Sequence, residues 1–409
     1  MTQAKLNPGE SVGALAEHNP FEFGEATLTV VPEAGGWRAV HRDQPCGAPA
    51  EIRLGDQTIV ENCHFYLDGL GSGQALLQKR RAHRRAGAAV VEESGLFPFG
   101  RELGFRQSSR YAFNHLRATF DFEWPAGQPV ERHLGVGSLF LPGQWQSYFC
   151  LPPARHLAEG AAPARVSIPA PPTSGETMIG HWHRPPLALV FRRADGTRVE
   201  VGSGSDLWRW QQSLGAGPES GSYKLMLRAD GIRVVREPLM TCAPFTPAAQ
   251  AYRFKWHLAW DQDGGRQLPT EGGRDGRERH ELSLASGELP AAARRRQASG
   301  TDPAVREPAA ACWLAAATQR EIKRRVRQLA ALPPAPRILT IRDFSPGFCL
   351  DGSHLQRGRR GELEHWDLDA MLELVAWMRR QLGSEWQVAA ADDRLQDELP
   401  SLAGLFRID

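Results

Sequence analysis

Nine residues, Leu116-Arg117-Ala118-Thr119-Phe120-Asp121-Phe122-Glu123-Trp124, alternate apolar and polar side chains almost without a break. Successive side chains of a β-strand point to opposite faces of the sheet, so this alternation separates an apolar face from a polar one. A strand with one buried face and one solvated face is typical of antiparallel sheets. The stretch therefore predicts a half-buried antiparallel strand.

Short extended runs continue from about residue 21 to residue 261, separated by turns that are rich in Gly, Pro and Asp. Asp195-Gly196 and Asp230-Gly231 each lie between two such runs, and Asp-Gly suits the tight turn of a β-hairpin. Many short strands at turn spacing favour a sandwich or barrel over a fold of alternating strands and helices. The predicted fold is mainly β, with a large antiparallel β-sandwich and a small C-terminal α/β element.

The C-terminal hundred residues have a different periodicity. Trp313–Leu332 and Asp367–Leu382 carry apolar residues at helical spacing, Pro333-Pro334 ends the first helix, and Gly383 follows the second. Arg337–Arg342 and Trp386–Ala390 are predicted strands. The predicted organisation is a lead-in at 1–20, a β-sandwich domain at 21–262, a flexible linker or surface excursion at 263–310, and a small α/β unit at 311–409.

Composition limits the class of protein. The 49 Lys and Arg residues nearly balance the 47 Asp and Glu residues, so no overall charge attracts nucleic acid or an anionic membrane. The basic runs Lys79–Arg85 and Arg320–Arg327 lack interleaved aromatics, which favours solvated faces. No apolar run has membrane-spanning length, no hydrophobic leader begins the chain, and the six cysteines include no C-x-x-C pair. We expect a cytoplasmic protein with no specific nucleic-acid partner and no membrane partner, and the oligomeric state stays open.

The segment Gly180-His181-Trp182-His183-Arg184-Pro185-Pro186 places two imidazoles two residues apart. On a strand, both rings leave the same face. Such a pair can act as a general acid and base, or bind a transition metal when a third ligand closes the site. The alternative is one core histidine and one solvated histidine. His181 and His183 are the leading catalytic candidates; no cofactor is expected, and a transition metal at the pair is the minority alternative.

His115 follows Asn114 at the start of the alternating strand, with Arg110 and Arg117 nearby. An imidazole beside two guanidinium groups can recognise sugar hydroxyls or a carboxylate. We assign His115 as a catalytic candidate and the two arginines as candidates for substrate binding. A histidine that is satisfied by structural hydrogen bonds is the alternative.

The run Trp256-His257-Leu258-Ala259-Trp260-Asp261 puts its tryptophans on one face of a strand and its polar residues on the other. Aromatic rings stack on the apolar faces of sugars, so Trp256 and Trp260, with Trp182 and Trp208, are candidates for substrate binding. Asp261 is the candidate carboxylate partner of the histidines. An ordinary core strand is the alternative for this run.

Taken together, Asn114-His115, His181 or His183, and the aromatic strand Trp256–Trp260 resemble the galactose-mutarotase-like supersandwich of sugar epimerases and of domains in glycosidases and polysaccharide lyases. The resemblance covers about residues 21–262 and is architectural. It implies that two histidines and a carboxylate lie on the concave face of a large antiparallel sheet.

The leading functional hypothesis is a carbohydrate-active protein, an enzyme of the glycosidase, lyase or sugar epimerase kind, with its sugar or polysaccharide ligand in a cleft lined by His and Trp. The first alternative is a non-catalytic carbohydrate-binding or assembly module. The second is a metal-dependent enzyme that uses the His-x-His pair on a non-sugar substrate.

Overall fold

A computed structural model describes residues 19–25, 27–31, 36–42, 49–67, 70–71, 76–85, 88–99, 101–112, 114–123, 127, 133–152, 161–203, 221–237, 239–240, 251–262, 278–282, 315–341, 348–349, 365–366, 368–383, 385–390 and 398–401. The chain divides into two compact units. Unit 1 comprises Met1–Ser147, Ser167–Pro185 and Val201–Leu258, and unit 2 comprises Tyr148–Val166, Pro186–Glu200 and Ala259–Asp409.

Strands dominate the described residues. They are β1 (Phe21–Phe23), β2 (Thr27–Val30), β3 (Trp37–Arg42), β4 (Glu51–Leu54), β5 (Gln57–Leu67), β6 (Leu70–Gly71), β7 (Leu76–Arg85), β8 (Ala88–Phe99), β9 (Arg101–Ala112), β10 (His115–Glu123), β11 (His133–Pro142), β12 (Ser147–Leu151), β13 (Ala164–Ser167), β14 (Glu176–Trp182), β15 (Ala188–Arg192), β16 (Thr197–Ser203), β17 (Ser222–Arg228), β18 (Gly231–Glu237), β19 (Leu239–Met240), β20 (Ala251–Gln262), β21 (Glu278–Leu282), β22 (Arg337–Ile341), β23 (Phe348–Cys349), β24 (His365–Trp366) and β25 (Trp386–Ala390).

Unit 1 is built from antiparallel sheets. The first sheet has the order β1-β2-β3-β4-β5-β11-β18-β17-β14, with β6 beside β5 and β19 beside β11. A second sheet contributes the strands β20-β10-β9-β8-β7, in that order, to unit 1. Its strands in unit 2 have the order β13-β12-β15-β16-β20. The mainly β fold with large antiparallel sheets is confirmed.

Strand β10 has the alternation that its sequence predicts. Leu116, Ala118, Phe120 and Phe122 are buried, and the intervening Arg117, Thr119 and Asp121 are half-buried. Its partner β9 matches it residue by residue, from His115 opposite Ala112 to Phe122 opposite Phe105. One face of this part of the sheet therefore supplies core, and the other carries polar groups.

Both predicted hairpins form. Gly196 has a φ of 83°, a left-handed conformation that glycine adopts without strain, and the Thr197 amide donates to Oδ1 of Asp195 at 2.9 Å. The second hairpin joins β17 to β18 in continuous register from Ser222 opposite Glu237 to Arg228 opposite Gly231.

Unit 2 contains the predicted α/β element. Its helices are α1 (Ala316–Ala330) and α2 (Leu368–Leu382), and β21, β22 and β25 form a parallel sheet in that order. Gly383, with a φ of 77°, ends α2 as the sequence predicts. Strand β21 lies within the segment 263–310, where the sequence pattern predicted no strand.

The core of unit 2 joins the two helices to strands from distant parts of the chain. It comprises Phe149, Leu151, Leu187, Ala188, Val190, Leu282, Ile322, Val326, Leu339, Ile341, Leu374, Val375, Met378, Leu382, Trp386, Val388 and Leu399. Beside it, the backbone amide and hydroxyl of Ser401 donate to the two carboxylate oxygens of the fully buried Glu200, at 2.8 and 2.9 Å. This contact fixes the last described residues to β16.

Candidate functional site

The four strands β7 to β10 share one surface, called the polar face below. Their registers place the following side chains on it: Lys79, Arg81, His83, Val90, Glu92, Ser94, Arg106, Ser108, Arg110, His115, Arg117, Thr119 and Asp121. The opposite face of β8, β9 and β10 is largely apolar and buried. The polar face thus collects many hydrogen-bonding groups on one side of a rigid sheet.

A pair of histidine rings lies on this surface. The ring centroids of His115, on β10, and His257, on β20, are 5.6 Å apart with a tilt of 50° between the planes. The exposed fractions are only 7% and 4%, so both imidazoles are shielded from bulk water. His257 points away from Trp256 and Leu258, because neighbouring residues of a strand face opposite sides.

A glycine makes room for this pair. A Cβ atom built on Gly202, in β16, would lie 1.8 Å from Cε1 and 2.1 Å from Nε2 of His257. No side chain fits at that distance, so the imidazole occupies the space that any other residue at this position would fill. The closeness of the backbone explains how a ring as large as His257 is buried within the sheet.

The two arginines expected near His115 are beside it. Arg117 lies two residues along β10, on the same face as His115, and is directly opposite Arg110 on β9. Both side chains are half-buried. The structure therefore brings together three of the predicted residues, His115, Arg110 and Arg117.

A pocket of about 390 Å³ opens farther along the polar face. Its lining side chains include three cationic residues, two carboxylates on the polar face, and serine hydroxyls. The lining residues are Lys79, Arg81, Glu92, Glu93, Ser94, Arg106, Gln107, Ser108 and Asp121. Because side chains alternate along a strand, those of Glu93 and Gln107 point to the face opposite the polar face. These two residues therefore line the bottom of the pocket.

His181 and His183 lie elsewhere, at the first sheet: His181 is the next-to-last residue of the edge strand β14, and His183 directly follows the strand. Their ring centroids are 4.8 Å apart, edge to face, and both side chains are exposed. The two predicted groups of histidines, His115 and the His-x-His pair, are thus in different sheets.

His181 and His183, called the outer pair below, have their own polar contacts. Nδ1 of His183 donates to the carbonyl oxygen of Gly221 at 3.3 Å, which leaves its Nε2 as the basic nitrogen, and Nε2 of His181 is 3.4 Å from the Ser222 hydroxyl. Partial burial, the neighbouring His183 and the cationic Lys224 lower the pKa of His181. Proton transfer or metal ligation at this edge is chemically open to the pair.

The tryptophans are placed differently from the stacking surface that the sequence suggested. Trp256 and Trp260 are 3% and 0% exposed, and the Arg236 guanidinium lies 5.5 Å from the ring centroid of Trp256. Both are core residues, which agrees with the alternative interpretation of this run as an ordinary core strand. Trp182 is half-buried beside Gly180, and Trp208 lies outside the described residues.

Asp261, the predicted carboxylate partner of the histidines, is engaged by an arginine. Nε and an Nη nitrogen of Arg198 donate to its two oxygens at 2.8 and 2.7 Å, and both side chains are buried. A two-point ion pair of this kind fixes the orientation of the carboxylate. Its clearest role is to join β16 to β20 within unit 2.

One buried polar network was not predicted. Glu93 accepts hydrogen bonds from Nε of Arg80 at 2.8 Å and from the Gln107 amide at 3.0 Å, and Nδ1 of His41 is 3.7 Å from it. The other nitrogen of His41 is 2.7 Å from the Tyr111 hydroxyl. Burial acts to raise the pKa of Glu93, but His41 and Arg80 outweigh it and the pKa is lowered.

The sequence signals for these missed residues are weak. His257 lies on the polar side of the tryptophan strand, and Gly202 is one glycine in a glycine-rich run. His41 ends a short extended run that is distant from Glu93 in sequence. Only strand pairing, which a single sequence does not specify, brings such residues together.

The described residues contain no group of three or more His, Cys, Asp or Glu side chains that could hold a metal ion. Neither helix in the described part of the chain combines the length and apolar character needed to cross a bilayer.

Comparison with known proteins gives matches in structure alone. No family model matches the sequence, and no curated protein matches it. The structure of Slr1438 from Synechocystis is similar over 62% of this chain and 100% of that protein, with a TM-score of 0.40 and 10% identity. The proposed mutarotase YeaD from Salmonella typhimurium is similar over 59% of this chain and 93% of its own, with a TM-score of 0.35 and 8% identity.

The resemblance is architectural. It agrees with the likeness to galactose-mutarotase-like proteins that the sequence suggested. The α-N-acetylgalactosaminidase NagBb from Bifidobacterium bifidum, in complex with a ligand, is similar over 90% of this chain with a TM-score of 0.32 and 12% identity. This chain spans 58% of the length of that enzyme. At these scores, function has to be argued from the side chains of this chain.

Proposed function

We propose that this protein is a carbohydrate-active enzyme that binds a sugar on the polar face and moves protons with His115 and His257. The observation that carries the proposal is the meeting of these two imidazoles, 5.6 Å apart, beside a row of arginine and hydroxyl side chains. A sugar offers many hydroxyl groups, and such a surface offers donors and acceptors to match them.

The two rings have complementary roles in this proposal. A neutral imidazole accepts a proton from one sugar oxygen, while a protonated imidazole donates one to another. Ring opening and closing of an aldose needs this pair of transfers, because the anomeric hydroxyl loses a proton as the ring oxygen gains one. Arg110 and Arg117, on the same face, orient the hydroxyls by donating hydrogen bonds.

Shielding from water supports the same role. Polar interactions are stronger where bulk solvent is excluded, and fixed side chains need little reorganisation during a reaction. The His257 ring packs closely against Gly202, and the His115 ring, only 7% exposed, lies beside it. The pair is therefore held in one geometry.

The second candidate is a sugar-binding module without catalysis. The contact between Asp261 and Arg198 favours it, because the carboxylate expected to assist the histidines is held by a guanidinium. In that case the polar face binds the sugar and no bond of the sugar changes.

The test compares the anomer exchange of free aldoses and the release of reducing ends from oligosaccharides in the unaltered protein and two variants. We expect His115→Gln and His257→Gln each to reduce turnover by about 100-fold or more, the usual contribution of a general acid or base, with sugar binding retained. His280→Gln, a histidine replaced in unit 2, serves as the matched control. If calorimetry detects sugar binding by the unaltered protein but no turnover is seen, the binding module is favoured. The absence of both binding and turnover contradicts both proposals.

A further inference from the structure

The pocket on the polar face contains more cationic groups than a neutral sugar needs. Lys79 and Arg81, on β7, and Arg106, on β9, line this pocket. All three side chains are exposed. The pocket thus presents ammonium and guanidinium donors to solvent within one concave space.

The carboxylates of Glu92, Glu93 and Asp121 line the same pocket as these three cations. Arg81 lies opposite Glu92 across β7 and β8, and Arg106 lies opposite Asp121 across β9 and β10. Despite these registers, Lys79, Arg81 and Arg106 form no ion pair with any carboxylate among the residues that the structure describes. Their donors remain available for an anionic ligand oxygen.

The neutral groups of the pocket suit the same ligand. Ser94, on β8, and Ser108, on β9, are half-buried residues whose hydroxyls lie on the polar face. Hydroxyl groups and guanidinium groups together bind carboxylates, sulfates and phosphates in proteins. Glu92 and Asp121 limit the net charge, so the pocket accepts an anion that also carries hydroxyl groups to donate to them.

The distance between the pocket and the histidine pair sets the size of the ligand. His115 and Asp121 are on the same face of β10, six residues apart, which is about 20 Å along a strand. Arg117 and Thr119 lie between them on that face. A single sugar ring does not cover this length, whereas an oligosaccharide does.

We propose that the polar face binds an acidic oligosaccharide or polysaccharide, with an anionic group of the sugar chain in the pocket of Lys79, Arg81 and Arg106. This inference rests on the proposed function, because it places the sugar chain along the same surface as His115 and His257. It adds the class of substrate: sugars with a carboxylate, or with a sulfate or phosphate ester, whose charged oxygens have the same chemistry.

The test measures binding by calorimetry with tetragalacturonate and with its fully methyl-esterified form, which has the same chain length without the charges. We expect the acid to bind at least about tenfold more tightly than the ester, and Arg106→Gln to weaken binding of the acid by about tenfold, the value of one charge-assisted hydrogen bond. Arg320→Gln, which removes an equally exposed charge from α1, is the control and leaves binding unchanged. Added salt weakens binding of the acid and has little effect on the ester.

A 6-sulfated galactotetraose separates the two sources of charge. Its binding supports an ester anion as well as a carboxylate, and binding of tetragalacturonate alone supports the carboxylate. Equal binding of the acid and the ester, with no effect of Arg106→Gln, overturns the inference and leaves the proposed function standing. Binding of inorganic sulfate without binding of any sugar chain overturns both. Circular dichroism of the Arg106→Gln variant confirms that it is folded.

Discussion

The two histidine pairs of this chain are alike in distance and opposite in surroundings. The inner pair, His115 and His257, has rings 5.6 Å apart and almost no exposure; the outer pair, His181 and His183, has rings 4.8 Å apart at the exposed edge of a sheet. The outer pair follows from strand alternation within one segment. The inner pair requires two strands and the absence of a side chain at Gly202. Ring distance alone therefore says little about what holds a pair together.

The largest expected effect comes from filling the space beside the inner pair. Gly202→Ala puts a methyl group where the His257 ring lies, and overpacking a buried site costs about 3 kcal/mol. We expect the free energy of unfolding, measured in urea, to fall by about this amount, with loss of sugar binding.

Two further variants control this prediction. Gly104→Ala, in β9, has open space at the Cβ position and should leave stability nearly unchanged. The double variant Gly202→Ala with His257→Ala should be more stable than the sum of the two single changes predicts, because the ring and the methyl group no longer collide. Simple additivity would show that the contact between Gly202 and His257 does not control the packing.

A third buried histidine, His41, differs from both pairs because it lies beside a carboxylate, that of Glu93. Glu93→Gln removes the charge that Arg80 and His41 share, and we expect a loss of about 2 kcal/mol of unfolding free energy at pH 7. The pKa of Glu93 is below its usual 4.5 in the folded protein, so its ionised form adds stability above that pH. That contribution is lost as the pH falls through the lower, folded value.

The difference in unfolding free energy between the unaltered protein and the Glu93→Gln variant should therefore become smaller at low pH. Thermal unfolding between neutral pH and about pH 3 measures this change. Glu92→Gln, one residue away on the opposite and exposed side of the strand, is the matched control and should have little effect. A gap that stays constant over the whole range would mean that Glu93 does not change its protonation on unfolding.

The smallest effect is expected at the outer pair. His183→Gln removes a neighbouring positive charge and should raise the pKa of His181. An NMR titration of the His181 ring measures the change, and Lys224→Gln should raise the pKa by less. We expect a loss of stability below about 0.5 kcal/mol, as for exposed positions. An unchanged pKa would show that the two rings do not interact electrostatically in solution.

Much of the fold could be predicted because it depends on local patterns. Alternation predicts β10, Asp195-Gly196 predicts its hairpin, and helical spacing predicts α1 and α2. The parallel strand β21 was missed, because its five residues lie in a stretch rich in Gly and Arg and carry only one fully buried apolar residue, Leu282. A strand of that kind is fixed by its neighbour β22 rather than by its own sequence.

The candidate site was less predictable, for a physical reason. His115, Arg110 and Arg117 could be identified because they are close in sequence and joined by one hairpin. His257 belongs to a distant strand, and the tryptophans around it have an aromatic pattern that fits a stacking surface and a core strand equally well. The structure makes Trp256 and Trp260 core residues and puts the imidazole on the polar side.

The contact between Glu200 and Ser401 has a consequence for how the chain is made. The two residues are 201 positions apart, and the later one supplies two hydrogen bonds to the buried carboxylate of the earlier one. At cellular rates of translation, roughly 10–40 s pass between their synthesis. Unit 2 therefore cannot complete its folding before Ser401 has been synthesised. Until then, Glu200 of β16 lacks these two hydrogen bonds.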